Sequence, residues 1–220
     1  MKSTLSSLLA IAATVLAAGP ALAHHPLGGM PMETFGHGVL SGIGHPVLGF
    51  DHLFFVIMVG IAAVYTGRAA LAPAGYIAAM LLGCLLSSFG AGLPLAEIAI
   101  GLSLLVVGGV VLSGRALGLT SAMVLFAAFG LFHGSAFGGS IAEQEAAVGL
   151  AVLVGYLIGL GAVQYAIAVG AGWLAQQLWS ASDATAVNTR LAGAVVAGVG
   201  LFLTLESAEG VLFDLMGWAV

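Results

Sequence analysis

The stretch GHPVLGFDHLFFVIMVGIAAVY, from Gly44 to Tyr65, decides how the rest of the chain is read. It is long and apolar enough to cross a bilayer, which takes about 20 residues in a helix. Yet it opens on His45, Asp51 and His52. A polar group carried below the lipid headgroups needs a partner, a polar cavity or an ion. The stretch therefore reads as a membrane span with chemistry at its entrance.

The composition agrees with a membrane setting. Of 220 residues, 61% are hydrophobic and 6% charged, and the mean hydropathy is +1.18. A soluble domain is about a quarter charged, so this chain lacks the charge to cover a water-facing surface. The net charge of −5 and only four Lys and Arg exclude a nucleic-acid partner, because nothing here neutralises a phosphate backbone. The single cysteine, Cys84, lies in an apolar run and excludes an internal disulfide; it reads as a buried structural thiol.

The fold class expected is all-α, a polytopic membrane bundle of six transmembrane helices after a cleaved signal peptide. Residues 1–23 carry Lys2, an apolar core and Ala21-Leu22-Ala23, the pattern of a secretory leader. Cleavage there makes His24 the new N-terminus and places it outside the cytoplasm. Residues 24–44 then form a His-rich extracytoplasmic segment, and 45–220 the transmembrane domain. Apolar runs place the spans near 45–65, 71–90, 94–113, 117–138, 147–173 and 191–209. With the N-terminus outside, Arg68, Arg115 and Arg190 all fall on the inner side, as the positive-inside rule expects. Gly130, Gly134 and Gly138 recur every four residues, as do Gly155 and Gly159. Small residues at that spacing let helices approach closely in lipid.

This topology sets the depth of the histidines. His52 lies seven residues after His45, about 10 Å deeper at helical rise. His133 stands in the outward-running fourth span, near its outer end, so it shares a level with His52. Neutral imidazoles suit nickel, copper, zinc and iron, and a carboxylate adds charge and oxygen coordination. Asp51 reads either as a ligand or as a group that orients one. On an ideal helix residues 51 and 52 point about 100° apart, so a compact site needs distortion, and Gly49 with Pro46 makes an unwound helix start plausible. Two other readings stay open: hydrogen bonds to neighbouring helices, and a proton relay of Asp and His. Gln164 and Tyr165 read as interhelical hydrogen-bonding groups, and Glu97 and Glu206 as solvated helix ends. At the N-terminus, HHPLGGMPMETFGHG adds His24, His25 and His37 on the same side, where a free amine and two histidines suit metal capture.

The stretch SGIGHPVLGFDHLFFVIMVG resembles the signature of the HupE/UreJ family of nickel and cobalt permeases, around its His-Pro-x-x-Gly-x-Asp-His motif. The later FGLFHGSAFGG is similar to the family's Phe-His-Gly segment. The HHPLGG start, leader and six spans extend the likeness over nearly the whole chain. The resemblance implies uptake of nickel or cobalt across a bacterial inner membrane, with an indirect link to a metalloenzyme or cobalamin pathway. It implies metal-binding roles for His45, Asp51, His52 and His133. Where family members often carry another histidine or a glutamate after Phe-His-Gly, this chain has Phe137, Gly139 and Ser140. Glu143 and Glu145 are the nearest carboxylates to that place.

The sequence thus leads to an inner-membrane permease for a divalent metal ion, not an enzyme, with no permanent prosthetic group and the ion as cargo. His24, His25 and His37 would collect the ion, and His45, Asp51, His52 and His133, with Glu143 as a further candidate, would pass it inward. The partners expected are the metal ion and the lipid bilayer, and a homo-oligomer is a possible arrangement. A zinc-dependent intramembrane hydrolase is the rival from another class, but no H-E-x-x-H motif supports it. A metal-sensing or assembly protein without transport is the other alternative.

Overall fold

The computed structural model describes residues 31–144, 149–179 and 183–218. Within them the chain forms helices α1 (Phe35–Leu48), α2 (Phe50–Val64), α3 (Ala72–Ser88), α4 (Ala96–Ser113), α5 (Leu119–Gln144), α6 (Leu150–Trp179) and α7 (Val187–Met216). Helices α4 to α7 are each long and apolar enough to cross a membrane. The pair α1 and α2 makes a fifth span if counted as one, and α3 is a shorter apolar helix. The leader expected over residues 1–23 and the pair His24, His25 lie outside the described residues.

The start of the bundle differs from a simple span over 45–65. Residues 35–48, most of them assigned from sequence to the segment before the membrane domain, form a helix of their own. Its N-terminus is fixed by Thr34, whose hydroxyl accepts the N–H of His37 at 3.1 Å. His37 answers by accepting the Glu33 N–H on Nδ1 at 3.2 Å. These bonds satisfy backbone donors that a helix start leaves without partners. Pro46 does not open a helix; it sits inside the last turn of α1. The chain leaves helical geometry at Gly49 (φ −86°, ψ 102°), and α2 departs at 83° to α1. The distortion that the sequence demanded is therefore a clean break between two helices.

The helices pack as close pairs, and glycine sets the spacing. In α5, Gly130 and Gly134 lie against the backbone of Tyr76 and Met80, and Gly138 against that of Cys84, so α3 and α5 run parallel. Along α4 and α7, Gly101 faces Thr204 and Gly108 faces Ala197, an antiparallel pair. Gly155 and Gly159 of α6 meet the carbonyls of Phe35 and Val39 of α1, and Gly60 of α2 meets Ala168 farther along the same helix. Backbones this close maximise dispersion contacts where lipid supplies no hydrophobic drive between helices. Cys84 is fully buried between α3 and its neighbours.

Helix direction gathers the charges at two ends. Arg68 and Arg115 lie in the α2–α3 and α4–α5 connections, and Arg190 at the start of α7 donates from Nε to the Leu112 carbonyl at 2.8 Å. Glu97 of α4 and Asp214 of α7 line one cleft at the opposite end.

Candidate metal site

The break at Gly49 puts the start of α2 inside the protein. Asp51 Oδ1 accepts the N–H of His52 at 2.8 Å, which compensates one of the free donors of that helix start. Asp51 is only partly buried, whereas His52 is 7% exposed. His133 reaches the same place from α5 and is fully buried. The two imidazoles meet Nδ1 to Nδ1 at 2.7 Å, so the shared depth read from sequence corresponds to direct contact.

A second set of contacts holds this pair from behind. Nε2 of His133 lies 2.8 Å from the hydroxyl oxygen of Ser103 on α4. Ser103 in turn donates to the Ile100 carbonyl at 2.6 Å. Phe55 stacks on the His133 ring, with centroids 4.2 Å apart and planes 17° off parallel. Phe137 lies 4.2 Å from the His52 ring centroid. A stacked ring on His133 and a tilted one against His52 restrict how far either imidazole can rotate.

His45 comes from another helix and has partners of its own. It lies in the last turn of α1, and its Nδ1 is 2.9 Å from the hydroxyl of Tyr156 on α6. Phe137 meets it edge-on at 5.1 Å, so the Phe137 ring contacts both His45 and His52. Among the described residues no three His, Cys, Asp or Glu side chains stand together as a ready set for one ion. The arrangement is a histidine pair and a third histidine that touches the same Phe137 ring as His52. His37 serves the start of α1, and Glu143 lies in the last turn of α5.

With this geometry in place, the relatives can be considered. Residues 12–203 match the family described as HupE / UreJ protein. The chain belongs to the HupE/UreJ family. It is 29% identical over 150 residues to Protein HupE of Rhizobium leguminosarum bv. viciae, an alignment covering 64% of this chain and 76% of that protein. No solved structure matches. The HupE/UreJ match includes His37, His45, Asp51, His52, His133 and Glu143.

Ser103 and Tyr156 escaped the sequence reading of this HupE/UreJ chain, and Phe137 entered it only as a residue standing where family members often carry a ligand. Ser103 is the only hydroxyl residue between Ala96 and Leu112, which is a detectable oddity in an apolar run. Tyr156 carries no such mark, since aromatic residues in spans usually fill space. Deeper in the bundle the Tyr76 hydroxyl donates to the Gln164 side-chain carbonyl, and Gln164 Nε2 lies 3.7 Å from the Met80 sulfur. Gln164 is thus an interhelical hydrogen-bonding group, as its position in an apolar span suggested, and Tyr165 bonds the Ala70 carbonyl at 3.0 Å. At the arginine end Tyr65 meets Thr189 through their hydroxyls at 3.1 Å. Among the described residues no buried side-chain nitrogen or oxygen lacks a hydrogen-bond partner. The polar cluster is thereby tolerated in a bilayer, where an unsatisfied group costs several kcal/mol.

Proposed function

We propose that this chain is a permease that moves a divalent transition-metal ion, nickel or cobalt, across the bacterial inner membrane. The single observation that carries the reading is the buried His52–His133 pair at the broken start of α2. A helix interrupted inside a membrane protein is the usual setting for an ion site, because irregular backbone is tolerated where it lines a polar cavity. Membership of the HupE/UreJ family supports the choice of nickel and cobalt. In this reading α3 completes a set of six spans, a leader precedes them, and the glutamate-bearing end faces outward.

The ion would first meet His24, His25 and His37, with Glu143 available on the same side. It would then pass His45 and reach His52 and His133, with Asp51 supplying negative charge beside them. Phe137 touches both His45 and His52, and in this reading the ion occupies the stations in succession rather than one closed shell. Partial coordination of this kind suits conduction, since an ion held by a complete shell leaves slowly. Tyr76 and Gln164, and then Tyr65 and Thr189, supply oxygen atoms farther along toward the arginine end. The ion is cargo, and the reading gives the chain no hydrolytic step and no nucleotide.

Metal accumulation in cells lacking their own nickel and cobalt uptake tests the proposal. The chain should raise cellular nickel or cobalt, and His52→Ala at equal membrane abundance should not. Equal accumulation with and without the chain would overturn it. A sensor or assembly protein would bind metal in the purified state and leave cellular content unchanged.

A further inference from the structure

We propose that Ser103 is a positioning residue that fixes which nitrogen of His52 carries the lone pair; its consequence for transport rests on the permease reading above. The argument follows single protons along a chain of hydrogen bonds. Ser103 has one hydroxyl hydrogen. The Ile100 carbonyl can only accept, and at 2.6 Å from the hydroxyl oxygen it takes that hydrogen. The same oxygen lies 2.8 Å from His133 Nε2, so it accepts there and Nε2 is the protonated nitrogen of His133. A neutral imidazole has one N–H and one lone pair, which leaves the lone pair of His133 on Nδ1. His52 Nδ1, 2.7 Å away, must then be the donor. The lone pair of His52 is thereby assigned to Nε2.

The order has a direct bearing on metal chemistry. A metal binds the lone-pair nitrogen of a neutral imidazole, and the bond made by the other nitrogen decides which one that is. Here the deciding bond runs through His133 to a serine on a third helix. Both nitrogens of His133 are engaged in this arrangement, one by His52 and one by Ser103. Without metal, His133 thus orients His52 and the lone pair of His52 falls on Nε2, the nitrogen that an arriving ion would address. Stacking of Phe55 on His133 and packing of Phe137 on His52 hold both rings in register for these bonds. Ser103 is fully buried, so water does not compete for its oxygen.

The decisive experiment is solid-state ¹⁵N NMR of the full chain in lipid bilayers, labelled on the histidine rings and recorded without added metal. The two rings are told apart by backbone assignment, His52 following Asp51 and His133 following Phe132, and their contact is read from the proton shared between the Nδ1 atoms. The expected result is a ring protonated on Nε2 paired with a ring protonated on Nδ1, the first being His133. His52 protonated on Nε2 would overturn the inference, and this reading needs no variant to fold. In Ser103→Ala the tautomers should mix, and the nickel concentration giving half-maximal uptake should rise about tenfold to a hundredfold. Ser103→Thr, which keeps the hydroxyl, should restore the wild-type spectrum. Uptake and spectrum both unchanged in Ser103→Ala would also overturn it. A wild-type chain that moves no metal defeats the permease reading, while the spectra still decide the hydrogen-bond order.

Discussion

His52 and His133 stand 81 residues apart in the chain and touch through their Nδ1 atoms at 2.7 Å. The contact joins the start of a broken helix to the middle of an unbroken one. On the α5 side His133 stands next to Gly134, one of the glycines that seat α5 against α3. From the α2 side the contact depends on the break at Gly49, which ends α1 before His52 and turns the new helix start inward.

The hydroxyl of Tyr156 positions His45, and Tyr156→Phe isolates that contribution. A neutral hydrogen bond is worth about 0.5–1.5 kcal/mol net, so the bundle should stay folded. The concentration of nickel or cobalt giving half-maximal uptake should rise by up to about tenfold. Unchanged concentration dependence would remove Tyr156 from the ion path.

Gly49 has ordinary backbone angles, yet space beside it is short. A Cβ there would lie 3.1 Å from the His52 ring and 3.3 Å from Asp51 Oδ1. Gly49→Ala should therefore displace the site groups while leaving membrane abundance near that of the wild type. Uptake should fall several-fold. Full uptake would show that the ring has room to move aside.

Helix packing is tested by two glycines with opposite surroundings. At Gly134 a Cβ would collide with the Met80 carbonyl oxygen and stand 2.8 Å from the Cys84 nitrogen. At Gly198 nothing lies within 4 Å. Gly134→Ala should cost about 1–3 kcal/mol by overpacking and lower the thermal midpoint in detergent. Gly198→Ala should leave it unchanged or raise it.

Phe137 contacts both His45 and His52, at 5.1 and 4.2 Å between centroids. Phe137→His would place an imidazole between the two stations. Apparent affinity for nickel should then tighten while the maximal rate falls, because a fuller shell releases the ion slowly. Concentration-dependent uptake separates the two effects, and a variant that loses affinity would contradict the succession of stations.

The parts of this architecture legible in the sequence were those governed by periodicity and length. Helix direction and rise sufficed to place His52 and His133 at one level, and glycine spacing marked a close-packing face on α5 without naming its partner. The helix over Phe35–Leu48 was not legible. GHGVLSGIG is rich in glycine, which disfavours an isolated helix, and α1 depends on Gly38 and Gly42 seating against α6. The break at Gly49 was expected as distortion, but its position awaited knowing that Pro46 belongs to the preceding helix. Tyr156 was missed because an aromatic residue beside a ligand and one filling a core read alike in sequence, whereas Phe137 stood out only as a departure from the family pattern.

The most direct test of the account is ion entry into liposomes holding the purified chain and a trapped nickel-sensitive dye. With nickel or cobalt added outside, the wild-type chain should quench the dye well above protein-free liposomes, and His52→Ala at equal protein content should not. Quenching no faster than in empty liposomes, or equally fast with His52→Ala, would contradict the claim that His52 lies on a metal path through this bundle.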